Sequence, residues 1–362
     1  MVQSFMQNLT SKSVTDSATM LPAGQTGALH LDCKAPIYFI INVSAGSSDS
    51  LALQQEIEDA LQAAGRSGEL IFSKPTDLPQ NARKAAIKAS LAHSAVVAVG
   101  GDGTINTVAQ AAHAHGCAMG VIAQGTFNYF ARTHGLPADV AQALHILLYS
   151  DPIPVQVATI NNHVFLVNAS LGLYPKLLEE REAYKARFGR SRFVAFGAAC
   201  VTLLRSHRQL LLHIELAGTA RDVRASTLFV GNNQLQLEQV GVQVNTPVGE
   251  HKGRANSEGR VAAVVLRPMG TLAMLRLMLH GAMGTLGQAD NVESFEFDHM
   301  VVKPRLKFGR RKVKVAFDGE VQSMRSPIKF AVSLKPLYLL KPDVQSMSEA
   351  TGRIDKTERK DT

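Results

Sequence analysis

One stretch of the chain combines residues that can hold an anion and move a proton: Gly100-Gly101-Asp102-Gly103-Thr104. It follows the apolar run Ala95 to Val99 and leads into a helical pattern that reaches about His115. Glycines let a ligand approach the backbone amides closely, and the first turn of a helix offers unpaired N–H groups and the positive end of a dipole. That is phosphate-binding chemistry, with Thr104 placed to cap the helix. Asp102 could order a lysine, hold magnesium through water or accept a proton from a hydroxyl. A tight strand-to-helix turn would read the same way. Position at the carboxyl end of a parallel strand, where α/β sheets bind ligands, favours function.

A second strand-to-helix turn follows at Gly125-Thr126-Phe127-Asn128, after the run Gly120 to Ala123. Thr126 and Asn128 offer hydrogen bonds there, as ordinary caps also would. Neither turn has the lysine of a Walker A loop or the glycine spacing of the dinucleotide fingerprint. Near the other end of the chain, Asp318-Gly319-Glu320 follows the strand-like run Val313 to Phe317. Alone, Asp-Gly there reads as a hairpin turn. Beside two phosphate loops it also reads as carboxylates able to receive a hydroxyl proton, which is most of what phosphoryl transfer asks of side chains.

These groups need elements to position them. From Ala35 to about Ser150 apolar runs alternate with helical patterns: Ile37 to Ile41, the helical Leu51/Ile57/Leu61, Leu70 to Phe72, a helix from Asn81 to Ala92, then the strands and helices named above. Continuous apolar strands with helices between them predict a parallel sheet covered on both faces. From about Ile153 the runs shorten: Val155 to Ile160, Val164 to Asn168, Leu210 to Leu216, Ala225 to Val230, Val261 to Leu266, Val313 to Phe317 and Ile328 to Leu334. They predict an antiparallel sandwich. The expected organisation is a mobile tail over 1–34, an α/β domain over 35–151, a β-sandwich domain over 152–342 and a second mobile tail over 343–362. Two segments interrupt the sandwich, Phe193 to Leu204 and Thr271 to Gly287. Their apolar faces with basic margins suit either core packing or a lipid interface.

The net charge of +8 favours anionic partners. Part of it lies in Lys303, Arg305, Lys307, Arg310, Arg311, Lys312 and Lys314, a run that suits a solvated strand pair or an electrostatic docking face. It lacks interleaved aromatics and any reader motif, so nucleic acid is not an expected partner. Three scattered cysteines, Cys33, Cys117 and Cys200, argue against a disulfide framework or zinc site and fit a reducing compartment. The N-terminus lacks the pattern of a secretory signal, and no apolar run reaches the roughly 18 residues of a spanning helix. A cytoplasmic protein that meets membranes from outside is expected.

Taken in order, Gly100-Gly101-Asp102-Gly103-Thr104, Gly125-Thr126-x-Asn128 and Asp318-Gly319-Glu320 resemble the motifs of the diacylglycerol kinase catalytic family, which includes bacterial lipid kinases and is related to sphingosine kinases. The likeness runs from about Ile37 to Lys341. It implies an α/β nucleotide domain, a β-sandwich lipid domain whose last strand returns to the first, and an active site in the cleft between them. It implies ATP with Mg²⁺, and transfer of the γ-phosphoryl group to the hydroxyl of diacylglycerol or a similar lipid at a membrane surface. Asn42 and Gly46 match the first nucleotide-contacting loop. Gly100, Gly101, Asp102, Gly103, Thr104, Gly125, Thr126 and Asn128 complete the expected cofactor contacts. Asp318 matches the general base, with Glu320 beside it; whether Asp102 or Asp318 takes the proton is left open. Asn168 and Gly172 match the opening of the lipid domain. The chain departs from the family at Val43, at Ala123-Gln124, at the bulky Phe127 (which could narrow the nucleotide pocket), at Ser257-Glu258-Gly259, and at the amides around Asn232 to Gln236, where bacterial members often carry metal-binding acids. The metal ligands are therefore unassigned. A soluble-substrate kinase related to NAD kinase and a non-catalytic nucleotide or lipid sensor are the alternatives, and a homodimer is left open.

Overall fold

A computed structural model describes residues 29–43, 49–172, 175, 209–216, 218–232, 259–268, 270, 292–306 and 311–342. They fall into two compact units, one drawn from Thr26–Val155 with Leu334–Thr362, the other from Gln156–Ser333.

In the first unit, β1 (Ile37–Asn42), α1 (Asp49–Ala63), β2 (Gly68–Ser73), α2 (Leu78–Leu91), β3 (Ala95–Gly100), α3 (Asp102–His115), β4 (Ala118–Ala123), α4 (Tyr129–Thr133), α5 (Val140–Tyr149) and β5 (Pro152–Val155) follow in order. The last described strand, β18 (Leu337–Leu340), joins them. The sheet order is β2-β1-β3-β4-β18-β5. β1 to β4 are parallel, β18 pairs parallel with β4, and β5 runs antiparallel beside β18. β3 and β4 are buried along their whole length, as central strands with helices on both faces must be. α2 meets the sheet through Ala82, Ala85, Ala86 and Ala89, all fully buried; side chains this small let the helix approach closely. Two expectations change. Leu51 is 74% exposed while Ile57 and Leu61 are buried, so α1 packs through its second half. β2 lies at the sheet edge, and Phe72 is exposed there.

The second unit holds β6 (Ala158–Ile160), β7 (His163–Phe165), β8 (Asn168–Gly172), β9 (Leu210–Leu216), β10 (Thr219–Ala225), β11 (Thr227–Gly231), β12 (Val261–Leu266), β13 (Val292–Phe297), β14 (His299–Pro304), β15 (Lys312–Phe317), β16 (Glu320–Arg325) and β17 (Ile328–Val332). They form two sheets, β10-β9-β14-β17-β6-β7 and β13-β12-β11-β8-β15-β16. All the pairings are antiparallel. Alternate residues of both sheets share one core, with Ile214, Met300 and Phe330 from the first sheet meeting Leu171, Val230 and Val315 from the second. The expected fold class, a parallel α/β region followed by antiparallel sheets, is what the structure shows.

The element boundaries needed correction. Val155 to Ile160 is not one strand: β5 belongs to the first unit and β6 to the second. Val164 to Asn168 likewise breaks at Leu166-Val167 into β7 and β8. β10 and β16 carry polar, alternating sequences (TARDVRA, EVQSMR) that an apolar-run search passes over. Each is an edge strand of its sheet, where one side faces water. Of the basic run, Lys303 pairs with Glu215, while Lys312 and Lys314 project outward from β15. Lys307 and Arg310 lie outside the described residues, as do Gly46, Cys200, Asn233 to Gln236, Ser257-Glu258, the segments 193–204 and 271–287, and most of both tails. Among the described residues no helix is long and apolar enough to cross a membrane.

Candidate nucleotide and proton-acceptor sites

The order β2-β1-β3-β4 means that the chain moves outward from β1 to β2 and then returns across β1 to β3. Such a reversal opens a crevice at the carboxyl ends of the two central strands, where α/β sheets take their ligands. Asn42 ends β1 and Gly100 ends β3, so the two expected contacts flank the reversal. They are joined through Thr104: Asn42 Nδ2 donates to Thr104 Oγ1 at 3.1 Å. Thr104 is 2% exposed and lies inside α3, whose N-cap is Gly101. The capping role expected of Thr104 is therefore corrected, because the chain turns helical two residues earlier and the hydroxyl serves the neighbouring strand end.

The two glycine turns touch. The N–H of Gln124 donates to the Gly100 carbonyl at 2.9 Å. A Cβ added at Gly125 would lie 2.8 Å from Gly101 Cα and 2.6 Å from Asn128 Oδ1, so backbone occupies the place of a side chain. A Cβ at Gly100 would strike the Thr104 hydroxyl at 2.6 Å. Asn128, in left-handed backbone at φ 48°, does not cap α4; its Oδ1 reaches back to accept the Gly125 N–H at 2.9 Å. Thr126 is exposed in the same turn. Phe127 does not fill this space, since its ring is 49% exposed and stacks on Tyr129 with centroids 5.5 Å apart.

Asp102 opens α3 beneath that turn. Burial raises its carboxyl pKa above the ordinary range, while the backbone N–H groups of Tyr129, Asn128 and Phe130 pull it back down. None of these amides completes a hydrogen bond to Oδ1, which is buried and has no partner among the described residues. A cation is one way to satisfy such an atom. Among the described residues no three His, Cys, Asp or Glu side chains converge on a point. Magnesium held between phosphates needs only one or two carboxylates from protein, so Asp102 fits that use.

Asp318 belongs to the other unit. Asp318 (φ 47°) and Gly319 (φ 87°) form the two-residue turn between β15 and β16, so the hairpin reading of Asp-Gly is correct as local structure. The side chain does something a turn does not require. Its Oδ2 accepts from the N–H of Leu166 at 2.7 Å, and its Oδ1 accepts from Val167 at 2.8 Å and Asn168 at 3.1 Å. Glu320 opens β16 opposite Phe317 and is exposed. Asn168 and Gly172 bound β8, the central strand that carries these amides into the sheet. No side chain announces the amides of Leu166 and Val167, so residue types could not reveal them. The one available signal is that Val164 to Asn168 must break to serve two strands.

A cavity of about 520 Å³, lined by Gln209, Arg221, Arg224 and Arg267 among others, lies elsewhere in the second unit. Arg267 follows Leu266, which is in register with Thr227 and through it with Gly172, at the opposite end of the strands from Asn168. Glu293 spans Arg221 at 2.5 Å and Arg267 at 3.2 Å. The cavity is thus remote from Asp318.

Residues 36–160 match the diacylglycerol kinase catalytic domain. "Probable lipid kinase YegS-like" of Klebsiella pneumoniae is 33% identical over 117 residues, which cover 31% of this chain and 39% of that protein. "Probable lipid kinase YegS" of Escherichia coli strain K12 is 31% identical over 119 residues, covering 31% and 40%. The chain therefore matches about two fifths of the length of these curated relatives. A crystal structure titled "a putative diacylglycerol kinase" from Bacillus anthracis superposes with a TM-score of 0.63 over 86% of this chain and 97% of that one, at 17% identity. At that identity the likeness is one of fold, and it extends through the second unit. The glycine turns, Asn42 and Asp102 all lie inside the span, residues 36–160, that matches the diacylglycerol kinase catalytic domain.

Proposed function

We propose that the protein transfers the γ-phosphoryl group of ATP to the hydroxyl of diacylglycerol or a similar lipid, working from the cytoplasm at a membrane surface. The observation that carries this reading is the backbone contact between the two glycine turns at the sheet reversal. It leaves the amides at the start of α3 as the groups able to face phosphate. Gly100, Gly101 and Gly103 keep side chains out of that space, Thr104 and Asn42 brace it, and Gly125, Thr126 and Asn128 form its second wall. Gly46 is proposed for the same loop set from its match alone. Asp102 would hold the metal, and magnesium when bound neutralises charge on the phosphates.

In this reading Asp318 is the general base. Its carboxylate, held in a fixed direction by three amides, receives the proton of the lipid hydroxyl as that oxygen attacks phosphorus. Glu320 lies beside it on the exposed start of β16. Fixed placement is what this chemistry rewards, since phosphoryl transfer depends mainly on positioning and charge. The assignment of Asp318 over Asp102 follows from their surroundings: Asp102 opens the phosphate-binding helix and carries the orphaned oxygen.

The test is transfer of labelled γ-phosphate from ATP into a mixed-lipid pool, followed by organic extraction. Wild type should give a labelled organic-phase product that names the substrate. Asp318→Asn should lower turnover by about 10²–10⁴-fold while ATP affinity holds, because the nucleotide loops lie in the other unit. Label confined to water-soluble products across several lipid mixtures would move the assignment to a soluble-substrate kinase. ATP binding without transfer to any acceptor would move it to a sensor.

A further inference from the structure

Between β7 and β8 the chain passes through Leu166 and Val167 to Asn168. Backbone groups in such a crossing need partners once water is excluded. The three N–H groups all donate to the Asp318 carboxylate, at 2.7, 2.8 and 3.1 Å. The carbonyls are served from two directions. Leu166 C=O accepts from Asn232 Nδ2 at 3.3 Å and Val167 C=O from the Asn232 backbone N–H at 3.0 Å. Asn168 C=O accepts from the Asp318 backbone N–H at 2.9 Å. Every one of the six polar groups therefore has Asp318 or Asn232 as a partner.

Asn232 is itself held. It is 3% exposed, and its Nδ2 also donates to the Gln156 carbonyl at 3.1 Å. The Gln156 side chain answers: Nε2 donates to the carbonyls of Asn232 at 2.8 Å and Arg260 at 2.9 Å, and Oε1 accepts from the Gly259 N–H at 2.6 Å. Gln156 and Asn232 thus tie the start of the unit, the end of β11 and the lead into β12 to the far side of the segment that Asp318 grips.

We propose that Asn232, backed by Gln156, is the positioning residue for Asp318, fixing the 166–168 backbone from behind so that its amides aim the carboxylate. This rests on the reading of Asp318 as proton acceptor. The two-residue turn at positive φ fixes the Asp318 backbone between β15 and β16 but not the direction of its carboxylate. Its direction comes from the amides, and their place comes from Asn232. A small displacement of a reacting group costs about 10²-fold in rate when it reaches the order of 1 Å.

The test uses the full chain with Asn232→Asp, which keeps the shape but replaces the Nδ2 donor with an oxygen facing two carbonyls. Gln156→Glu repeats that exchange one step further back. Hydrogen exchange over residues 164–170 and steady-state kinetics are measured together. The expected result for Asn232→Asp is faster exchange at 166–168 by about tenfold or more, with exchange in β1, β3 and β4 unchanged. kcat should fall about 10- to 100-fold with the KM for ATP within about twofold; Gln156→Glu should do the same to a smaller degree. If Asn232→Asp does not fold, Asn232→Ala is read by the same two measures. Unchanged exchange at 166–168, or a lowered melting temperature with normal kcat, would overturn the proposal by leaving Asn232 a core residue only. If wild type phosphorylates no lipid, the functional reading fails by itself, and a normal 166–168 exchange pattern in the variants would still sink the clamp.

Discussion

Gly125→Ala tests the idea that the nucleotide site is made by two backbones in contact. The added Cβ would sit 2.8 Å from Gly101 Cα and 2.6 Å from Asn128 Oδ1. Ordinary carbon contacts are about 3.5–4 Å, so the turns must part by roughly 0.7–1.2 Å, or the Asn128 side chain must leave the Gly125 N–H as well. Overpacking of this kind costs about 1–3 kcal/mol, and the lost hydrogen bond about 1 kcal/mol more. If only the first cost falls on the bound geometry, ATP affinity drops about 5- to 150-fold. Two neighbours give the scale. A Cβ at Gly101 would meet Gly125 Cα at 3.4 Å, nearly an ordinary contact, so Gly101→Ala should lower the melting temperature far less than Gly125→Ala does. Gly116 closes α3 at φ 68° with nothing near its Cβ position, so Gly116→Ala should lower stability by about 1–2 kcal/mol and leave ATP binding alone. Titration calorimetry with ATP at 25 °C, with a thermal melt of each variant, reads both quantities. Wild-type affinity in Gly125→Ala, or an equal fall in melting temperature in Gly101→Ala, would refute the reasoning.

Asp102→Asn should raise the melting temperature while lowering turnover at least about tenfold, because burial disfavours the charged carboxyl while function requires it. The sign follows from linkage: a carboxyl with a raised pKa binds its proton more readily in the folded state, so its share of stability is lost as pH rises through that pKa. Melts of both proteins from pH 4 to 7 should show the margin of Asp102→Asn over wild type widening as pH rises, His134 contributing equally to both; parallel curves would contradict it. His134 gives the opposite slope. Burial, then the Lys341 charge, lowers its pKa to about 4, so the unfolded chain takes up the proton first and stability falls as pH drops from about 6.5 to 4. The full shift corresponds to at most about 3 kcal/mol, and urea unfolding of His134→Phe, which keeps the ring against Phe130, should lack it. Phe127→Gly should leave ATP affinity within about threefold and change stability by less than about 1 kcal/mol. A tighter nucleotide complex in that variant would show that the ring does narrow the site.

What the sequence made legible follows from how local each signal is. The parallel sheet was readable because β1, β3 and β4 are short apolar runs that alternate with helices, and burial on both faces leaves the pattern unbroken. The glycine turns were readable because a tight strand-to-helix connection needs glycine whatever the ligand. What stayed hidden depends on contacts far apart in sequence. Asn42 meets Thr104 across 62 positions, and Asp318 meets Leu166 across 152. Thr104 looked like a cap since threonine before a helix usually is one, but its hydroxyl had a long-range partner. β10 and β16 were missed because edge strands with one wet face need not be apolar. Asn232 looked like a departure, an amide where related chains often carry acids. In the fold an amide at that place can donate to the Leu166 and Gln156 carbonyls, which a carboxylate cannot do. A substitution that reads in sequence as the loss of one function is therefore, in structure, a donor that the opposite side of the 166–168 segment requires.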